Sequence, residues 1–199
     1  IITDCDPLKT STSKRNDDMD GIHPPDLDQF LIDLDDPDPL VRQEAAIALG
    51  DSCRDEHPCI EVLIERLQSP DQTLHDRACA AWALGRIKAK AGEVVAILLT
   101  LIEELNDQSE ADEFRHFAAE AIERLTEDSD VLVIVAKHCL TDRDWQCRMK
   151  GLYIADRLLQ RQAEVRGSFM PLIEALMSDE VEEIRERARR LVIGFEKGV

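Results

Sequence analysis

Cys53, His57 and Cys59 fall within one short stretch, and His75 and Cys79 follow one helical turn apart. Thiolates and imidazoles are the ligands that zinc and iron–sulfur centres take. Four-ligand sites are normally built from tight pairs, and no Cys-x-x-Cys step occurs among Cys5, Cys53, Cys59, Cys79, Cys139 and Cys147. Cys53 and Cys59 are expected on opposite sides of a helix junction, and His57 directly precedes Pro58. The expectation is therefore no metal and no cofactor, with metal binding by Cys53, His57 and Cys59 left open. Cys79 and Cys139 lie in apolar runs, where a thiol behaves as a small hydrophobe. Reduced thiols in a cytoplasmic compartment are expected on that pattern.

Other chemistry is sparse. The eight glycines are scattered and form no phosphate-cradling loop, and no nucleophile elbow occurs. No residue can be given a catalytic role, so a non-enzymatic protein is expected. The chain carries 42 acidic against 24 basic residues, for a net charge of −18, and acids exceed bases in both halves. Such a field opposes nucleic acid, which needs clustered Lys and Arg, and equally an anionic membrane surface. Apolar runs such as Val94 to Leu99 are far short of the ~20 residues of a membrane span. No leader is recognisable near the start, which is polar and acidic.

The elements that must position these side chains come from an internal repeat. Arg42-x-x-Ala45-Ala46-x-Ala48-Leu49-Gly50 returns as Arg77-x-x-Ala80-Ala81-x-Ala83-Leu84-Gly85. Arg115, Arg148 and Arg185 continue the series, at a step of roughly 35 residues typical of helical repeats. Each unit is preceded by an apolar segment with residues three and four apart, such as Ile60, Leu63, Ile64 and Leu67. Short turns bearing Asp, Ser or Pro join the two, and can cap the second helix. The third turn, 106–112, is the longest. The reading is all-α: an α-α superhelix of about five helix-turn-helix repeats, spanning about 26–57, 58–91, 92–127, 128–163 and 164–199. Residues 1–25 read as a flexible N-terminal segment.

Asp36-Pro37-Asp38-Pro39-Leu40-Val41-Arg42, followed by the Ala-Ala-x-Ala-Leu-Gly string, resembles the HEAT repeat. It is most similar to the bacterial HEAT-like units named after phycobilisome lyases. The resemblance implies an armadillo-like solenoid with its second helices on the concave side. It also implies a ladder of turn aspartates and second-helix arginines linking neighbouring units. The matching residues are Asp36, Asp71, Asp142 and Asp179, with Arg42, Arg77, Arg115, Arg148 and Arg185. Ser109 replaces the Asp of the third unit. A recurring Arg in every repeat fits a spacing contact better than five copies of one active site. Some HEAT-like arrays hold two irons through His-Glu dipeptides, as in deoxyhypusine hydroxylase, but Glu56-His57 is reversed and single. Others excise alkylated bases with a basic concave face, which the net charge opposes.

Five residues after each Arg the identity is free to vary: Ile47, Trp82, Glu120, Tyr153 and Arg190. With Gln43, His116 and Met149, one residue after an Arg, they form a candidate concave ribbon for a protein partner of basic character. Trp82 and Tyr153 are the natural anchors, unless they pack sideways on a neighbouring helix. The expected function is a protein–protein interaction scaffold. The alternative implied by the resemblance is a lyase- or chaperone-like subunit for a bilin-bearing protein.

Overall fold

A computed structural model describes residues 27–54 and 57–196, and the N-terminal segment at 1–25 lies outside them. The described residues form ten α-helices and no strand. They run in antiparallel pairs: α1 (Leu27–Asp33) with α2 (Pro39–Ser52), α3 (Cys59–Gln68) with α4 (Leu74–Ile87), and α5 (Ala91–Glu104) with α6 (Asp112–Leu125). Next come α7 (Ser129–Leu140) with α8 (Trp145–Arg161), and α9 (Arg166–Ala175) with α10 (Glu182–Glu196).

Side chains at the turns start several second helices. The Asp38 carboxylate accepts the Leu40 N–H, Thr73 Oγ1 accepts the Asp76 N–H, and Asp144 accepts the Cys147 N–H. Each satisfies a backbone donor that the helix itself leaves open. The long third turn holds a short 3-10 turn, Ser109–Ala111, before α6.

One continuous core of Ala, Leu, Ile and Val runs through the stack. The second helices α2, α4, α6, α8 and α10 pack on one another in a single row. Packing along the row of first helices is looser. Small residues explain the close contact in the first half. A Cβ on Gly85 would stand 2.8 Å from Ala121 Cα, and one on Gly50 would stand 3.1 Å from Ala83 Cα. Glu123 and Asp156 hold the corresponding station in the next two second helices. There ion pairs replace close backbone approach: Lys150 and Arg157 meet Glu123, and Arg187 meets Asp156.

Candidate functional site

Arg42, Arg115 and Arg148 staple their own turn and reach into the next repeat. Arg42 donates from Nε to Asp76 Oδ1 at 2.8 Å and from Nη1 to the Asp36 carbonyl at 2.9 Å. Arg115 grips Asp142 with both Nε (2.7 Å) and Nη2 (3.1 Å), while its Nη1 donates to the carbonyls of Leu105 and Gln108. Arg148 repeats the fork on Asp179, at 2.7 and 3.0 Å. Burial raises the Asp179 and Asp76 carboxyls, but the arginine hydrogen bond, a second hydrogen bond from Val181 N–H or Thr73, and the nearby positive charge together outweigh it and hold both below the ordinary range.

The acid that meets Arg42 is Asp76, inside α4, and not Asp71. Asp71 is exposed in the turn, where its N–H donates to Ser69 Oγ. Thr73 caps α4 and donates to the other Asp76 oxygen, which aims that carboxylate back at Arg42. Arg77 has Ser109 where an acid would stand in the next turn. Its Nε donates to the Leu67 carbonyl and its guanidinium lies over the Phe114 ring, 5.5 Å from the centroid. Burial holds the Arg77 pKa below that of an ordinary arginine. Arg185 clamps the Asp179 and Glu180 carbonyls and pairs with Glu182 of its own helix.

The variable station is only partly open. Tyr153 is 39% exposed, with the Arg187 guanidinium 4.8 Å from its ring centroid. Trp82 is half-buried, packs against the core, and has Arg86 over its ring at 5.3 Å. Ile47 and Gln43 are half-buried and wall a narrow slit beside Trp82. Met149 packs against the core. Glu120 is half-buried and accepts from Arg124 at 2.7 Å; burial would raise its pKa, but Arg124 and Lys150 bring it down. Burial lowers the His116 pKa, Lys150 adds to the effect, and its Nδ1 is buried without a partner. Arg190 is exposed and pairs with Glu186.

Where α2, α4 and α6 end, an open groove of about 620 Å³ is lined by Asp51, Cys53, Arg54, Arg86, Lys88 and Arg124, among others. Four cations against one acid make this corner locally positive in a strongly acidic chain. Asp51 is itself paired with Arg86.

The structure overturns the expectation of reduced thiols at one pair. Cys53 and Cys59 are joined by a disulfide, with their Cα atoms 7.0 Å apart. Cys53 caps the end of α2 and Cys59 opens α3, so the two do lie on opposite sides of the junction, and both side chains are buried in the core. His57 lies beside them, its Nδ1 accepting the Cys59 N–H at 3.2 Å. Ligand atoms of Cys53, His57 and Cys59 lie within 4.8 Å of one another. Reduced, the trio would offer two thiolates and an imidazole to a soft metal; as a disulfide it offers no thiolate. His75 and Cys79 do not belong to this cluster. Cys79, Cys139 and Cys147 are free thiols.

Paired helices, a continuous core and arginine rungs between neighbours define an α-solenoid repeat protein. Residues 27–109, spanning α1 to α5, match a family model of HEAT repeats. Helices α6 to α10 complete the third pair and add two more on the same plan. No curated protein matches the chain. No helix among the described residues is long and apolar enough to cross a membrane.

Proposed function

We propose that the chain is a non-enzymatic scaffold that binds a protein partner along the row of its second helices, on the concave side of the stack. HEAT repeats are commonly protein-interaction modules, which is the coarse basis for this reading. The observation that carries it is Tyr153: a large amphipathic ring exposed on the row, pre-oriented by Arg187. Rigid aromatics with an ordered cation beside them are favoured binding anchors. The tighter packing of second helices than of first helices supports an inner, concave position for this row. Net charge alone would select a basic partner. The groove at Arg54, Arg86, Lys88 and Arg124 modifies that selection, because a segment reaching it would carry acidic side chains.

Tyr153→Ala combined with Lys88→Glu tests the surface without touching the core. Trp82 is a poorer probe, because its ring packs against the Gly50 position of α2. Proteins captured by the wild type are expected to bind the double variant at least about tenfold more weakly, the scale of one good anchor. Equal recovery, with unchanged thermal melting, rules out the proposed surface.

A further inference from the structure

His75 and Cys79 stand one turn apart on α4, and Glu113 faces them from α6. Cys79 Sγ lies 3.7 Å from His75 Nε2, and His75 Nδ1 lies 3.1 Å from Glu113 Oε2. A carboxylate at Nδ1 keeps a proton on that nitrogen, so Nε2 is the atom that exchanges a proton with the sulfur. The imidazolium is then satisfied at both ends, by a thiolate and by a carboxylate. This is the general plan of an activated nucleophile: a base within reach of the thiol and a third group orienting the base.

The surroundings favour the same charge state. The hydrogen bond to Cys79, and then that to Glu113, raise the His75 pKa to about 10. Glu113 is lowered, first by the His75 hydrogen bond and, against some burial, by the charge of His75 and of His116. Asp76, next to His75 on α4, is neutralised by Arg42 from α2. Cys79 is half-buried, whereas Cys139 and Cys147 are buried. Burial pushes the Cys139 thiol up to about 12 and raises Cys147 further.

Cys79 and His75 open on the slit walled by Gln43, Ile47, Trp82 and Phe117. The slit has about 10 Å³ of free space, enough for one water-sized molecule. That narrowness excludes bulky disulfides and favours the smallest oxidants.

We propose that Cys79, His75 and Glu113 form a thiol–imidazole–carboxylate relay that makes Cys79 a site of oxidation by hydrogen peroxide. The Cys79 thiolate attacks one peroxide oxygen; the S–O bond forms as the O–O bond breaks. The sulfur is oxidised by two electrons to the sulfenic acid and the peroxide is reduced. The departing hydroxide takes the Nε2 proton of His75 and leaves as water.

The full chain is treated with hydrogen peroxide and a sulfenic-acid trap, and separately with iodoacetamide across a range of pH. Peptide mass spectrometry reads each cysteine. Trapped sulfenic acid is expected at Cys79 and not at Cys139 or Cys147. Alkylation of Cys79 at pH 7 is expected to outpace that of Cys139 and Cys147 by at least about tenfold. His75→Gln should slow Cys79 alkylation at pH 6 by about tenfold, the loss expected when a thiol no longer has an imidazolium partner. Glu113→Gln should slow it less. Cys79 alkylation no faster than that of the buried thiols, or a rate indifferent to His75→Gln, overturns the relay. Rapid alkylation without any trapped sulfenic acid overturns the assignment of peroxide. The wild-type comparison stands even if a variant folds poorly.

Discussion

Arg115 is only 2% exposed, yet its guanidinium faces oxygen on every usable side: both oxygens of Asp142, the carbonyls of Leu105 and Gln108, and the Asp112 carboxylate. Removing it would strand a nearly buried Asp142 carboxylate and two carbonyls. Breaking one side of such a buried pair costs about 3–5 kcal/mol, because an uncompensated charge stays behind. Arg115→Ala is expected to lose that much in urea unfolding followed by helical signal, whereas Arg190→Ala, on an exposed pair, should lose less than about 1 kcal/mol. Arg42, Arg115 and Arg148 were readable in the sequence as rung positions because one residue type recurs at one station. Asp76 was not, because it sits inside a helix and its role depends on how Thr73 turns its carboxylate. The Cys79–His75 step was visible as a four-residue spacing. Glu113 was not, because only the packing of α4 on α6 brings it across from the next repeat.

At the scale of the helices, the contact between α4 and α6 rests on Gly85 against Ala121. A Cβ there would meet backbone at 2.8 Å, and backbone cannot move aside without separating the two helices. Alanine propagates a helix better than glycine by about 1 kcal/mol, but overpacking a tight contact costs about 1–3 kcal/mol. The steric cost wins because the clash is with a Cα. Gly85→Ala is expected to destabilise the array by about 1–2 kcal/mol in the same unfolding measurement. Gly92→Ala, with nothing within 4 Å of the new methyl, should leave stability unchanged or raise it. Helix identity and pairing were legible in the sequence because three- and four-residue apolar spacing and polar turns recur in every unit. The pairing of Cys53 with Cys59 across the α2–α3 junction was not. The bend that brings Cys53 to Cys59 is set by the packing of two helix ends in the core, and no local spacing encodes it.

For the molecule as a whole, two electrostatic effects oppose each other. A net charge of −18 makes the folded array repel itself, and that repulsion acts over distances beyond any single pair. Against it stand inter-helix pairs such as Asp51–Arg86, Glu123–Arg157 and Asp156–Arg187. These are partly exposed, and pairs of that kind contribute about 0–1 kcal/mol each. The Arg115–Asp142 and Arg148–Asp179 rungs are buried and are screened far less. Salt at about 0.15 M shortens the screening length to about 8 Å, which removes most of the long-range repulsion. It leaves the buried rungs in place and weakens only the outer pairs. Raising sodium chloride from low ionic strength to that level is therefore expected to raise the melting temperature by a few degrees, the shift that about 1 kcal/mol produces in a chain of this size. A melting temperature that falls with salt would show that the outer ion pairs, and not the excess charge, govern the cohesion of the stack.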